Sequence, residues 1–209
     1  MGYGSSHTTN DLARIFAQAC EEIINQATNS EVKAARTMQK VPSVFLKPDI
    51  GCFVQFTGDY SGLFIMNFSG PVAIELYRKS MLFMGMPEEE LATEYTSDEV
   101  VDSLGELINQ IIGKARSMIK ERYGLAASNP QPKAITISSV ITMSIATPLN
   151  RPQCRRISFR SAENHSFHIE LSLEETEFIK LHPNEKSAPA TEATASGHSS
   201  DVDDLINSL

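Results

Sequence analysis

The 209 residues amount to one ordinary domain with room for a tail, and not to two full hydrophobic cores. With 41% hydrophobic and 21% charged residues, the composition excludes wholesale disorder and a fibrous chain. Eighteen Lys and Arg stand against 26 Asp and Glu, a formal net charge of -8. That balance argues against a nucleic-acid binder, which needs a positive face to displace counterions, and against docking on an anionic membrane. No apolar stretch approaches the roughly 20 residues needed to cross a bilayer. The first residues, Met1 to His7, lack a basic region followed by an apolar core, so a cytoplasmic protein is expected. Cys20, Cys52 and Cys154 are odd in number and far apart, which gives neither a disulfide framework nor a paired-cysteine metal site.

Along the chain, Asn10 is a good helix N-cap. Leu12, Ile15, Phe16, Ala19, Ile23 and Ile24 then recur at spacings of three and four, predicting an amphipathic helix that ends near Asn29. From Val44 and Leu46 the period becomes strand-like. Phe53–Phe56 and Leu63–Met66 flank the turn cluster Thr57–Gly62, predicting a β-hairpin. Pro71 suits the first turn of a second helix running through Val72–Met84 to Gly85. A third helix of about 26 residues, roughly 39 Å long, is predicted from the Thr96-x-x-Glu99 capping-box pattern to Gly124. Its apolar seam is Val101, Leu104, Ile108, Ile111, Ala115 and Met118. Ile135–Ile145 reads as a strand. Arg156–Phe159 and Ser166–Leu173 read as a closing hairpin around the polar turn Ser161–His165.

After residue 182 the large apolar residues vanish, so 183–200 is expected to be a flexible linker. Residues 201–209 turn apolar and acidic again. Residues 183–209 carry five acids against one lysine, half of the formal charge of the protein.

On the third helix Asp102, Glu106, Asn109 and Gly113 fall at i, i+4, i+7 and i+11, a single stripe. Glu106 lies about 200° around from Leu104, so the stripe faces outward while the seam faces in. Asn109 is a poor helix former in mid-helix, and Gly113 costs about 1 kcal/mol relative to Ala. Two unfavourable choices on one exposed face point to close docking of a partner. The plainer alternative is an ordinary solvated face.

The spacing Asp102-x-x-x-Glu106-x-x-Asn109-x-x-x-Gly113 resembles the D/S-x-x-x-E-x-x-N signature, with its trailing Gly, of the CheC/CheX/FliY phosphatases of bacterial chemotaxis. The Val54–Ile65 hairpin and the closing Arg156–Leu173 hairpin resemble their counterparts in that family, and one complete motif is most similar to the CheX branch. The resemblance covers roughly 10–182. It implies an α/β fold with pseudo-twofold halves, in which two long helices pack on one face of an antiparallel sheet. It also implies a hydrolase acting on the phospho-aspartate of a CheY-like response regulator. Asn109 would hold the attacking water, and Glu106 would hold the regulator's lysine. Asp102 would orient the helix surface or contact the partner, and Gly113 would permit close approach. Mg²⁺ would sit in the regulator's own pocket, with no metal or cofactor on this chain. A homodimer is plausible by the same resemblance.

Glu22-Ile23-Ile24-Asn25-Gln26 on the first helix repeats Glu106–Gln110 nearly residue for residue. Glu22 and Asn25 are therefore candidates for a degenerate second site, with Gln18 in place of the acid and Asn29 in place of the glycine. The tail Val202-Asp203-Asp204-Leu205-Ile206-Asn207-Ser208-Leu209 resembles the C-terminal CheY-binding helix of CheZ and the docking peptide of FliM. Val202, Leu205, Ile206 and Leu209 share one face of two helical turns. Nine residues are too few to hold a helix alone, so this segment is expected to fold on binding. A tether of about 17 residues would raise the effective concentration of the partner to near millimolar. The alternatives are a tail that packs on its own domain or on a dimer mate, and a non-catalytic module that binds or scaffolds the regulator. A small-molecule enzyme finds little support, since no phosphate loop, nucleophile elbow or HExxH is present. His165 and His168 are expected on opposite faces of a hairpin, so no two-His metal site is expected.

Overall fold

Residues 6–137 and 140–179 are described by a computed structural model. Residues Ser6–Phe178 form one compact body. The three helices and the main sheet belong to the body. The linker expected at 183–200 and the docking residues Val202, Asp203, Asp204, Leu205, Ile206 and Leu209 lie outside the described residues.

In chain order the elements are β1 (Ser6–Thr8), α1 (Thr9–Thr28), β2 (Lys33–Ala34), β3 (Gln39–Val41), β4 (Phe45–Leu46), β5 (Ile50–Gly58), β6 (Gly62–Phe68) and α2 (Gly70–Phe83). A 3₁₀ turn at Glu88–Glu90 leads to α3 (Asp98–Tyr123), β7 (Ala127–Ser128), β8 (Lys133–Thr136), β9 (Met143–Ser144), β10 (Gln153–Arg160), β11 (Ser166–Leu173) and β12 (Glu177–Ile179). The main sheet runs β2-β10-β11-β6-β5-β7, with β3 also on β10 and β8 also on β5. Its pairings are antiparallel. This is the expected α/β class, with three helices among the described residues rather than only the two long ones.

Strict alternation on the strands makes the core. On β6, Phe64, Met66 and Phe68 face the helices, while Leu63 and Ile65 face the opposite side. β11 sends Phe167, Ile169, Leu171 and Leu173 to the helical side. There they meet Leu12, Ile15, Phe16, Ala19 and Ile24 of α1 and Leu104, Ile108, Ile111 and Ala115 of α3. Phe16 stacks on Phe56 of β5, ring centroids 5.2 Å apart. The outer face of β6 is buried too, because Leu46 of β4 and Ile137 pack over it.

Three local expectations are corrected. The strand expected over Ile135–Ile145 is instead two short ones. β8 pairs with β5, whereas β9 crosses to the other side and pairs with β4, where Met143 and Ile145 help cover the sheet. Helix α1 starts earlier than Asn10, with Thr8 as N-cap, whose N–H donates to Asp11 Oδ2 at 2.9 Å. Asn10 is then available to accept a 2.8 Å bond from Arg155 Nε. Helix α3 is capped by Ser97 and has no side-chain capping bond. The helix begins at Asp98, which leaves Glu99 at the second helical position, out of capping-box register with Thr96. The C-terminal end agrees with the sequence: Gly124 adopts φ +73° and donates to Lys120 O at 2.8 Å.

On the outer face one charge is wholly enclosed. Glu170 of β11 is 0% exposed and accepts from Phe45 N–H at 2.7 Å and from Arg156 Nε at 2.9 Å, with His168 Nε2 at 3.4 Å. Burial alone would push its carboxyl up. The hydrogen bonds from His168, Phe45 and Arg156 outweigh that and hold it below the ordinary carboxylate range. A carboxyl depressed in the folded state contributes stability above its unfolded value, about 4.3, and loses it as pH falls through the folded one. Glu170→Gln is expected to cost about 3 kcal/mol at neutral pH, because Arg156 loses its buried partner. Denaturant titrations at pH 7 and below pH 4 should show a shallower acid loss in the variant than in the wild type. Equal slopes would contradict this role.

Candidate functional site

Helix α3 is held by a broad apolar face. Val100, Leu104, Leu107, Ile108, Ile111, Ile112, Ala115 and Ile119 are buried, while the predicted seam residues Val101 and Met118 lie at its half-buried margins. With that face turned in, Asp102, Glu106, Asn109 and Gly113 are all exposed, as the spacing predicts. The first turns of the helix also expose Asp98 and Glu99, so the solvent side of this half is acidic and suited to a cationic group.

Within the stripe, Glu106 organises its neighbours. Its Oε1 accepts from Gln110 Nε2 at 3.2 Å, and its Oε2 accepts a long 3.5 Å bond from Asn109 Nδ2. The amide nitrogen of Asn109 is thus turned toward the carboxylate. Its Oδ1 has no hydrogen-bond partner among the described residues and is free to accept from a water. A Cβ added at Gly113 would meet nothing within 4 Å, so no packing within the described residues demands a glycine there.

The near-repeat on α1 is arranged differently. Asn25 Oδ1 accepts from Val32 N–H at 2.6 Å, and its Nδ2 donates to Val32 O at 3.2 Å. Glu22 accepts from Gln18 at 2.8 Å and pairs with Lys114 of α3 at 3.0 Å. The Lys114 contact, followed by that of Gln18, holds the Glu22 carboxyl below its ordinary range. Both side chains are engaged by the protein itself.

Two further features escape sequence reading. Glu75 of α2 is buried and accepts from Ser161 Oγ at 2.5 Å and Glu163 N–H at 3.1 Å, with His165 Nδ1 at 2.8 Å. The ligand atoms of Glu75, Glu163 and His165 lie within 4.8 Å of one another, and the hydrogen bonds tie α2 to the β10–β11 turn. Between α2 and α3 lies an apolar cavity of about 310 Å³, and Glu106 and Gln110 form part of its wall. A polar cavity of about 720 Å³ among Lys40, Arg151 and Arg155 shares no residue with the stripe.

Residues 4–206 match the family model described as "Protein of unknown function (DUF3334)". The chain belongs to the DUF3334 family. Among curated proteins no match is found. Solved structures similar to this DUF3334 chain include the chemotaxis protein CheX of Desulfovibrio desulfuricans, at 21% identity and TM-score 0.65, covering 78% of this chain and 99% of that one. CheX of Vibrio vulnificus is similar at 16% identity and TM-score 0.64, with 78% and 99% covered. CheX of Borrelia burgdorferi, solved as a complex with CheY, BeF3 and Mg²⁺, is similar at 14% identity and TM-score 0.59, with 79% and 99% covered. The DUF3334 chain therefore has the CheX/CheC-like fold expected from its sequence.

Two stability measurements separate the stripe from its copy. Asn25→Ala should cost about 1–3 kcal/mol, because the buried Val32 backbone loses both partners. Gly113→Ala should instead stabilise the fold by about 1 kcal/mol, as a helical glycine with open space around it allows. Denaturant titration reads both; the opposite signs would overturn these assignments.

Proposed function

We propose that this protein is a phosphatase of a CheY-like response regulator, hydrolysing the regulator's phospho-aspartate at the exposed stripe of α3. The observation that carries the reading is the pair formed by Glu106 and Asn109, exposed on a rigid helix with Asn109 Oδ1 free toward solvent. The fold shared with CheX proteins supports it, as does the complex of the Borrelia protein with CheY.

Phosphoryl transfer to water depends on positioning and electrostatics more than on covalent help. In this reading Asn109 Oδ1 accepts a hydrogen bond from the attacking water and holds it in line with phosphorus. The water oxygen forms the new bond as the bond from phosphorus to the aspartyl oxygen breaks. The regulator's aspartate is restored as a carboxylate and inorganic phosphate leaves, the water's proton passing to the phosphate. Asn109 is no base, since a carboxamide does not titrate in the useful range. Glu106 takes the regulator's lysine by a charged hydrogen bond. Asp102 extends the acidic surface toward the partner, and Gly113 lets the partner's backbone approach. Mg²⁺ belongs to the regulator's acidic pocket.

The α1 copy is read as structural, because Asn25 and Glu22 are already engaged. The C-terminal segment 201–209 is read as a tethered docking peptide. It would raise the local concentration of regulator without touching the chemistry.

The test is the decay of phosphate on a CheY-type regulator from the same organism. The wild type should accelerate it, Asn109→Ala should lose about 100-fold of that acceleration or more, and Asn25→Ala should retain it. Binding without any acceleration by the wild type would favour a non-catalytic regulator-binding module instead.

A further inference from the structure

The end of α2 is built as an apolar crest beside the stripe. Leu82, Phe83, Met84 and Met86 are 43%, 56%, 62% and 37% exposed. Single exposed apolar residues need no explanation, but four within five positions do. The crest is not loose chain. Gly85 N–H donates to Leu82 O and Met86 N–H to Met81 O, each at 3.0 Å, with Gly85 at φ +88°. That is the double bond pattern of a Schellman cap, which fixes the backbone while its side chains stay in solvent. Such a surface gives up little conformational freedom on binding.

Beneath the crest, Phe83 and Met84 of α2 and Leu104 and Leu107 of α3 line the cavity of about 310 Å³. Glu106 belongs both to this groove and to the stripe, so a macromolecule whose reacting group sits at Asn109 has the groove directly beside it. Glu106 puts an exposed carboxylate on the wall of the groove, whereas Glu88 pairs with Arg78 and lines a separate cavity on another side of α2. An apolar slot with a carboxylate on its wall fits a protein face that presents an apolar side chain next to a basic one. The methionines suit it further, being adaptable and polarisable.

We infer that the α2–α3 groove with its Leu82–Met86 crest is the docking surface for the regulator's receiver domain, seating an apolar residue beside the lysine that Glu106 holds. This rests on the proposed phosphatase reading. It adds a second, apolar contact that sets affinity and partner choice, separate from the residues that do the chemistry.

The experiment titrates a beryllofluoride-loaded CheY-type receiver from the same organism onto the full chain, comparing wild type, Phe83→Asp, Phe83→Leu and Asn109→Ala. Phe83→Asp should weaken binding about tenfold or more, Phe83→Leu should largely restore it, and melting temperatures should stay close to wild type because the position is exposed. In turnover, Phe83→Asp should raise KM and leave kcat at saturating receiver intact. Asn109→Ala should lower kcat with little change in affinity. Equal binding by wild type and Phe83→Asp would overturn the groove while leaving the phosphatase reading in place. Phe83→Asp that dissociates a homodimer at unchanged receiver affinity would make the crest a self-interface and overturn the inference. A wild type that binds no receiver would overturn both.

Discussion

The rotational setting of α3 is the constraint on which the rest depends. Eight buried side chains between Val100 and Ile119 face α1, α2 and the sheet, and they fix which side of a 26-residue helix meets solvent. Turning the helix by one residue, about 100°, would drive Glu99, Glu106 and Lys114 into the core in one direction, or Asn109, Arg116 and Lys120 in the other, at a cost no single apolar contact could offset. The exposed line Asp102, Glu106, Asn109, Gly113 is therefore positioned by hydrophobic packing, with no polar contact needed to aim it. Its rigidity comes from the same source.

Two nearly identical pentapeptides meet different fates in this fold, and the difference is one of chain path. Asn25 stands four residues before Asn29, which takes a left-handed conformation (φ 45°) and ends α1. The chain then folds back, and Val32 arrives opposite the Asn25 amide and occupies both its donor and its acceptor. Asn109 sits fourteen residues before the end of α3, and it is exposed among the described residues. Glu22 faces Lys114 across the helix pair, whereas Glu106, among the described residues, bonds to amides of its own helix. Identical side chains thus become a loop clamp in one copy and an open polar surface in the other.

Much of this was legible in the sequence. Periodicity located the three helices, the β5–β6 hairpin and the β10–β11 hairpin, and it set the outward direction of the stripe. What escaped were features decided by distant partners. The capping pattern at Thr96 is displaced by one residue, with Ser97 as the N-cap. The apolar run 135–145 divides between two sheets because Met143 and Ile145 are needed on the outer face. Asn25 is a candidate second site by its pentapeptide repeat, and Val32, its partner, carries no polar side chain to announce the contact that occupies it. Glu170 gave no signal for the same reason, since the backbone of Phe45 is part of what holds it. The groove between α2 and α3 is absent from any one segment, and only the adjacency of the two helices creates it.

The central claim is that the α3 stripe meets a receiver's phosphorylation pocket, and a structure of the complex with a beryllofluoride-loaded receiver and Mg²⁺ tests it most directly. The account predicts Asn109 facing the beryllofluoride across a single water position, Glu106 on the receiver's lysine, and Gly113 against receiver backbone. A receiver seated on α1 near Glu22, or on any face that leaves Asn109 in open solvent, would contradict it.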